Sequence, residues 1–243
     1  YQTIQTVFQK VGKAVPPLKL TCHNKIPHGR GMGSSGAAVS GGVMLAAGLL
    51  NGEFEFSEAE LLRFATDIEG HPDNVAPALF GGLTIAWVDD NGPHHKKLTV
   101  HRGVSPLVLV PPNQMSTKLA RSLQPESVPH TDAVFNVSRS ALLVAALTQS
   151  PELMFAATED RLHQNYRASA MPETSKLIQL LREHGHAAVV SGAGPSVLVL
   201  EIDPQERVKA MQLAKENFPT WLPLTLAVDY KGASVALQFG SGA

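Results

Sequence analysis

The chain has 243 residues, enough for one large domain or two moderate ones with a substantial core. Hydrophobic residues make up 44% and charged residues 17%, which is typical of a globular rather than a disordered protein. The formal net charge of −1 excludes a strongly basic surface, so neither nucleic acid nor an anionic membrane is an expected partner. One cysteine, no bilayer-length apolar run and no signal peptide at the first residues predict a cytoplasmic protein without intramolecular disulfides.

The first half of the chain predicts mostly helices. Residues 34–50 are so rich in small apolar side chains that they predict a helix buried on most sides. Within it, the adjacent Gly41 and Gly42 should each cost about 1 kcal/mol relative to Ala, which indicates a packing reason. Ser57 followed by Glu60 predicts a capping box that begins a further helix. The other elements expected here are a helix end at 7–15, a strand at 18–22, a helix from Asp73 or Asn74 to residue 80, and strands at 83–88 and 97–102.

The second half alternates strands and helices. Residues 107–110 form a short apolar strand that two prolines end, and Ser116 can cap a helix that runs to residue 123. Further helices are predicted at 132–148, 151–165, 172–184 and 204–217, and strands at 187–190, 197–200, 224–228 and 234–238. A hairpin is expected around residues 192–195. This mixture predicts an α+β protein rather than a doubly wound parallel sheet.

The strongest chemical signal is the sequence Pro-His-Gly-Arg-Gly-Met-Gly-Ser-Ser-Gly-Ala-Ala at residues 27–38. Its alternate glycines free the backbone to approach an anion, and its two serines stand where a helix begins. The exposed first-turn N–H groups and the helix dipole together favour a bound phosphate. The alternative is an ordinary glycine-rich connection that a serine caps.

Two other phosphate-binding motifs share features with these residues. Residues 31–36 satisfy G-x-G-x-x-G, with Glu53 and Glu55 about 20 residues further on. That dinucleotide fingerprint must follow its strand directly, however, and residues 23–30 intervene. A Walker A loop needs Gly-Lys-Ser/Thr, and no lysine is present here. Neither motif fits.

Residues 26–38 resemble the second motif of the GHMP kinases, P-x-x-x-G-x-G-S-S-x-A, although Met32 stands where Leu is common and Gly36 where Ala is common. Residues 191–196, Ser-Gly-Ala-Gly-Pro-Ser, resemble their third motif, with Ala193 in place of a frequent Ser. Residues 69–82, which begin Glu-Gly-His-Pro-Asp-Asn-Val-Ala-Pro, are similar to a segment of homoserine kinases. Asp73 or Asn74 could instead be a helix cap and His71 a loop residue.

This resemblance implies a two-domain α+β fold. It consists of a ribosomal S5 domain 2-like N-terminal domain, expected at residues 1–104, and a ferredoxin-like C-terminal domain, expected at residues 105–243. The family's first motif, P-x-S-x-N, cannot be found before Leu18. We therefore expect the N-terminal strands of the fold to be missing from this chain and the isolated chain to be a poor kinase.

The resemblance also implies the site residues. ATP would be bound by Pro27, His28, Gly29, Arg30, Gly31, Met32, Gly33, Ser34, Ser35, Gly36 and Ala37. Mg²⁺ would be bound by Ser35 and Glu69, with Ser34 as the alternative to Ser35. His71, Asp73 and Asn74 would line the site of the accepting hydroxyl. Whether Asp73 acts as a general base is left open. The substrate would be bound by Thr117, Arg121, Arg167, Gly192 and Gly194, the guanidinium groups suiting an α-carboxylate.

The function implied is ATP-dependent phosphorylation of L-homoserine to O-phospho-L-homoserine, a step toward threonine, with ATP and Mg²⁺ as cofactors. The substrate is the expected partner, and a homodimer is left open. The alternatives are a GHMP kinase of the mevalonate or shikimate type, or a non-catalytic GHMP-like ligand-binding protein. A Rossmann-type dehydrogenase would change nicotinamide absorbance, which we do not expect.

Overall fold

The computed structural model of the protein describes residues 1–236, apart from the side chains of Thr117, Lys118 and Arg121. The chain divides into two compact units. The first unit combines Tyr1–Lys25, Gly33–Thr99 and the described residues from Asp229 onward. The second unit combines Ile26–Met32 with Val100–Val228. The predicted division into residues 1–104 and 105–243 stays a prediction.

The first unit packs four helices and a hairpin around one core. Its elements are α1 (Gln2–Lys10), α2 (Ser34–Leu49), α3 (Glu58–Glu69), α4 (Pro72–Phe80), β1 (Leu83–Asp89) and β2 (Gly92–Leu98). The two strands pair antiparallel. Each helix contributes fully buried aliphatic side chains, among them Val7, Val43, Leu62 and Val75. Burial of each such side chain contributes about 1.5–3 kcal/mol, so the four helices are held mainly by this shared core.

The glycine pair inside α2 has a packing reason at one of its two positions. A Cβ placed on Gly42 would lie 2.6 Å from Cβ of Thr3, so α1 and α2 approach too closely there for any side chain. A Cβ on Gly41 would meet no heavy atom of the described residues within 4 Å outside the neighbouring helix backbone. The predicted packing reason is therefore confirmed for Gly42 and wrong for Gly41.

The helix starts follow local capping chemistry. The capping box of α3 is confirmed: Ser57 Oγ accepts from the Glu60 amide at 3.3 Å, and Glu60 Oε2 accepts from the Ser57 amide at 2.8 Å. The predicted cap of α4 by Asp73 or Asn74 is wrong, because His71 occupies the N-cap position. Pro72 takes the first helical position, where its fixed φ suits a helix start. Asp73 and Asn74 therefore lie in the first turn of α4.

The segment after Val228 completes the first unit. The Gly82 amide donates to the Asp229 carbonyl at 2.7 Å, and the Ala233 amide donates to the Ala78 carbonyl at 2.9 Å. Lys97 Nζ donates to two carbonyls, those of Phe80 and Tyr230, at 2.6 Å each. These bonds attach the segment to the end of α4 and to β2.

The second unit is a four-stranded antiparallel sheet with helices. Its strands are β3 (Ser105–Val110), β4 (Ala187–Val190), β5 (Val197–Glu201) and β6 (Leu222–Thr225), in the spatial order β4-β5-β3-β6. Its helices are α5 (Thr117–Ser122), α6 (His130–Thr148), α7 (Met154–Ala157), α8 (Gln164–Arg167), α9 (Pro172–Glu183) and α10 (Pro204–Asn217). Leu107 and Leu109 of the inner strand β3 share a core with side chains of α9 and α10. The α+β prediction and the hairpin between β4 and β5 are confirmed.

Three predicted elements of the first unit differ from the structure in type or in bounds. Residues 18–22, all within the described range, form no strand and are mostly exposed, so their alternation has no neighbouring strand to pair with. The strand predicted at 97–102 begins instead at Gly92, because residues 89–92 close a tight hairpin. The helix predicted to end at residue 15 ends at Lys10.

The remaining differences concern predicted elements in the second half of the chain. The helix expected at 151–165 is interrupted: it divides into a 3₁₀ turn, α7 and α8, separated by residues 158–163. The strand expected at 224–228 lies two residues earlier, as β6. Residues 234–236 form no strand, and the rest of the predicted strand at 234–238 lies outside the described residues. Within residues 1–236, no helix is both long and apolar enough to cross a membrane.

Candidate functional site

In the first unit, the start of α2 is open for an anion. Gly33 takes the N-cap position in the left-handed conformation, with φ 69° and ψ 26°, and none of the described side chains caps the helix. The Ala37 amide closes the first turn by donating to the Gly33 carbonyl at 2.9 Å. The remaining first-turn amides and the positive end of the helix dipole therefore form the kind of terminus that binds phosphate.

Ser35 and Glu69 meet beside this terminus. Ser35 Oγ donates to Glu69 Oε2 at 2.7 Å, which joins the first turn of α2 to the last turn of α3. Gly70, with φ 93°, ends α3 immediately afterwards. Within the described residues, no group of three or more His, Cys, Asp or Glu side chains could hold a metal ion. A hydroxyl and a carboxylate in contact suit Mg²⁺, which takes few protein oxygens and completes its shell with water and phosphate.

Asn74 lies against the start of α2. A Cβ on Gly36 would be only 3.1 Å from the Asn74 Cβ, and a Cβ on Gly33 would be 4.0 Å from Asn74 Oδ1. Gly36 therefore permits the first turn of α4 to approach the first turn of α2. This contact places an amide side chain next to the predicted phosphate site.

His71 and Asp73 form a hydrogen-bonded pair at the start of α4. His71 Nδ1 lies in contact with Asp73 Oδ1, and the carboxylate is well exposed while the imidazole is mostly covered. The end of α3 and the start of α4 thus carry Glu69, His71, Asp73 and Asn74 within six residues. The structure brings all four predicted residues of this segment to one region of the first unit.

In the second unit, the loop of residues 26–32 is held by its own arginine. Arg30 Nε donates to the Pro111 carbonyl at 2.9 Å and Nη2 donates to the Pro112 carbonyl at 2.7 Å. The Met115 amide also donates to the Gly29 carbonyl at 2.9 Å. Arg30 therefore anchors the loop to the end of β3, a role that sequence reasoning missed. Its role as an ATP ligand stays a prediction, as do those of Pro27, His28 and Met32 in the same loop.

The loop also contacts the turn of residues 191–196. Ser191 Oγ donates to the Gly31 carbonyl at 2.8 Å, although the two residues are 160 positions apart. A Cβ on Gly31 would lie 2.2 Å from the Ser191 carbonyl oxygen and 2.7 Å from that of Gly194, so only glycine fits. The second and third motifs are therefore in direct contact within the second unit.

Arg167 reaches the same turn. Its Nη1 donates to the Gly192 carbonyl at 3.4 Å. Gly194 has a φ of 88°, which favours glycine, and a Cβ there would lie 2.7 Å from Met171 Sδ. Of the predicted substrate residues, Arg167, Gly192 and Gly194 are brought together, and the side chains of Thr117 and Arg121 lie outside the described residues. Substrate binding by all five stays a prediction.

Asp160 organises the turn that precedes Arg167, and sequence reasoning missed it. Its carboxylate accepts from the amides of Leu162, His163 and Gln164 at 3.1, 2.9 and 2.7 Å. Burial alone would raise the pKa of Asp160, but these bonds and those from the His163 and Asn136 side chains outweigh burial and lower the pKa well below its usual range. An aspartate two to four residues before such amides is the signal of a turn, and it could have predicted the break in the helix.

Comparison with known proteins defines the class. The family model of the GHMP kinases N-terminal domain matches residues 1–82, and that of the GHMP kinases C-terminal domain matches residues 138–219. The chain therefore belongs to the GHMP kinases, and the predicted two-domain fold of that family is confirmed.

The most similar relatives narrow this assignment. The homoserine kinase of Clavibacter michiganensis subsp. michiganensis is 66% identical over 233 residues, which cover 96% of this chain and 74% of that protein. The homoserine kinase of Leifsonia xyli subsp. xyli is 67% identical over 235 residues, which cover 96% and 73%. The crystal structure of homoserine kinase from Cytophaga hutchinsonii matches with a TM-score of 0.81 at 25% identity, over 95% of this chain and 76% of that one. Within the GHMP kinases, the chain's place is among the homoserine kinases.

Proposed function

We propose that the protein transfers the γ-phosphoryl group of ATP to the hydroxyl of L-homoserine, giving O-phospho-L-homoserine and ADP. The observation that carries this proposal is the identity of 66–67% to two homoserine kinases over nearly the whole chain. The start of α2, the Ser35–Glu69 contact and the neighbouring Asn74 supply the chemical groups that such a reaction needs. We expect the reaction to take place in the cytoplasm.

Phosphoryl transfer depends mainly on positioning and on stabilisation of charge, because its loose transition state spreads charge over the phosphoryl oxygens. In the proposed mechanism, amides of the first turn of α2 donate to the phosphates of ATP. Ser35 and Glu69 are the residues that would hold Mg²⁺, and a bound Mg²⁺ would neutralise part of the phosphate charge. The left-handed Gly33 supports this role, because it turns the chain into the helix without placing a side chain over the amides.

The accepting hydroxyl of homoserine is proposed to contact the first turn of α4. Asn74, an uncharged donor and acceptor, orients the hydroxyl toward the phosphoryl group. Asp73 is the carboxylate of this turn that can take the hydroxyl proton, and its hydrogen bond to His71 holds it in place. The assignment of Asn74 rests on its position beside the α2 terminus, and that of Asp73 on its place in the same turn of α4.

The amino-acid end of homoserine is proposed to bind the arginines. A guanidinium donates two parallel hydrogen bonds to a carboxylate, which fixes the orientation of the substrate as well as its affinity. Arg167 is directed to the turn of residues 191–196 by its bond to Gly192, and Arg121 belongs to the segment of α5 that resembles homoserine kinases. 3-Aminopropan-1-ol has the amino and hydroxyl groups of homoserine but lacks the carboxylate, so it tests this assignment.

The experiment is coupled ADP release from the complete protein with L-homoserine, mevalonate, shikimate, galactose and no acceptor. We expect ADP release at saturating Mg-ATP to depend on homoserine and to remain near the no-acceptor rate with the other alcohols. Stronger turnover of another alcohol would replace the substrate assignment. ATP binding without ADP release for any acceptor would indicate a ligand-binding protein instead of a kinase.

A further inference from the structure

The side chain of Gln124 contacts Arg167 at Nε, whereas the turn of residues 191–196 contacts the same guanidinium at Nη1. With its amide oriented so that both of its polar atoms are satisfied, Gln124 Oε1 accepts from Arg167 Nε at 2.9 Å. In the same orientation, Gln124 Nε2 donates to the Leu162 carbonyl at 2.9 Å. The Gln124 amide is therefore bonded both to Nε of Arg167 and to the backbone carbonyl two residues before α8.

Gln124 joins two parts of the second unit that each carry a predicted substrate arginine. It lies two residues after α5, the helix that contains Arg121, and it is bonded to α8, the helix that ends at Arg167. The turn before α8 is itself fixed by the Asp160 carboxylate, whose bonds to three successive amides set its backbone. Gln124 thus attaches the α5 segment to a backbone that is already rigid.

Arg167 is held at two points by these contacts. Its Nε is bonded to Gln124, and its Nη1 is bonded to the Gly192 carbonyl. An arginine side chain has several rotatable bonds, and ordering them costs conformational entropy. An arginine fixed before the substrate arrives does not need this ordering on binding, so its fork is preorganised for a carboxylate.

We propose that Gln124 is a positioning residue for substrate binding: it orients the Arg167 guanidinium toward the carboxylate of the amino-acid substrate. This inference rests on the proposed function, because it concerns the same substrate. Gln124 itself contacts Arg167 and the Leu162 carbonyl, and it affects substrate binding through Arg167.

The test uses Gln124→Met in the complete protein, because Met has a similar shape and cannot accept from Nε. We expect KM for L-homoserine to rise about tenfold, since the lost bond involves a charged donor, while kcat and KM for ATP stay within about twofold. Gln124→Glu keeps an acceptor for Nε and should recover most of the homoserine affinity. Gln124→Asn, which is too short to reach Nε, serves as a second disrupting variant, and Gln179→Met on the exposed face of α9 is the matched control.

Two measurements separate positioning from a general structural role. Added to Arg167→Leu, Gln124→Met should change KM for homoserine by less than about twofold, because both substitutions remove the same interaction. With 3-aminopropan-1-ol, which lacks the carboxylate, kcat/KM should be the same for wild type and Gln124→Met.

Each contrary result decides the matter. An unchanged KM in Gln124→Met and Gln124→Asn, an equal loss with 3-aminopropan-1-ol, or a fully additive effect with Arg167→Leu would overturn the positioning role while leaving the proposed kinase function intact. Absence of homoserine-dependent ADP release in the wild type would overturn the proposed function, and the role of Gln124 with it.

Discussion

Gly36 and Asn74 lie so close that a single methyl group on Gly36 would come within 3.1 Å of the Asn74 Cβ. A glycine in the first turn of α2, at its anion-binding end, is therefore also the residue that sets how closely the amide side chain of α4 can approach. Because this separation is shorter than ordinary van der Waals contact, adding the methyl must move one helix relative to the other or displace the Asn74 side chain.

Gly36→Ala should consequently reduce turnover. A shift of a few tenths of an ångström in Asn74 is expected to lower kcat by about threefold to tenfold, because catalytic groups tolerate little displacement. Gly41→Ala, one turn further along α2 and clear of other described side chains, is the matched control and should leave kcat unchanged. Steady-state ADP release with homoserine measures both, and equal kcat values for Gly36→Ala and wild type would show that Asn74 is not sensitive to this contact.

Glu69→Gln should remove most of the activity. The amide cannot replace a carboxylate as a charged Mg²⁺ ligand, so we expect kcat to fall at least about tenfold and the Mg²⁺ concentration for half-maximal activity to rise. A Mg²⁺ titration at fixed ATP measures this effect, with Glu58→Gln at the other end of α3 as the control. If Glu69 served only as the end of a helix, where a negative charge is mildly unfavourable, the variant would be fully active and slightly more stable.

Arg121→Leu and Arg167→Leu should each raise KM for homoserine while ATP binding stays near normal. A charge-assisted hydrogen bond contributes about 1.5–3 kcal/mol, which corresponds to a KM increase of about tenfold or more. Initial rates over a range of homoserine concentrations at saturating ATP measure this change. An increase of less than about threefold in either variant would remove that arginine from the substrate site.

The two glycines inside α2 should respond oppositely to the same substitution. Gly41→Ala adds a methyl where there is room and should stabilise the protein by about 0.5–1 kcal/mol, because Ala has the higher helix propensity. Gly42→Ala adds a methyl 2.6 Å from Thr3 Cβ and should destabilise it by about 1–3 kcal/mol through overpacking. Urea unfolding of both variants gives the two values, and the same sign for both would contradict the packing described for α1 and α2.

Asp160→Asn should destabilise the protein in a pH-dependent manner. At neutral pH we expect a loss of about 1–3 kcal/mol, because an amide nitrogen would replace an acceptor that faces backbone N–H groups. Since the pKa of Asp160 is lowered on folding, the ionised carboxylate stabilises the folded state fully above its unfolded pKa of about 3.9. That contribution is lost as the pH falls further, toward the folded pKa.

Unfolding measurements at pH 7, 5, 4 and 3 test this dependence. The difference between wild type and Asp160→Asn should be constant from pH 7 to pH 5 and become smaller below about pH 4. Asp67→Asn, which removes an exposed ion pair with Lys10, is the control and should cost less than about 1 kcal/mol. A difference that grows on acidification would show that the carboxylate is not the stabilising form.

Sequence reasoning was most reliable where a single local interaction determines the structure. The Ser57–Glu60 capping box, the start of α2 and the β4–β5 hairpin all depend on residues within a few positions of one another, so their patterns could be interpreted directly. Sequence reasoning was least reliable where a segment's structure depends on residues far away in the sequence. Residues 18–22 alternate like a strand, yet an alternating pattern becomes a strand only if another strand pairs with it.

In the candidate site, too, local features were predicted better than contacts between distant parts of the chain. The motifs singled out Ser35 and Glu69 as a pair, and the structure shows them hydrogen-bonded, while their shared role as Mg²⁺ ligands stays a prediction. Residues 29–31 were predicted to contact phosphate, but their spacing gives no sign that Arg30 is bonded to the Pro111 and Pro112 carbonyls. Such a contact joins positions more than 80 residues apart, and only the folded chain brings them together.

The attachment of Asp229 to Gly82 and of Ala233 to Ala78 affects the order in which the protein can fold during translation. Domains are usually expected to fold as they emerge from the ribosome, the N-terminal one first. Here the first unit, which contains the amino-terminal helices, lacks part of its backbone pairing until residues beyond 228 have been synthesised. The bonds that attach the end of α4 to this segment can therefore form only after about 150 further residues have been synthesised.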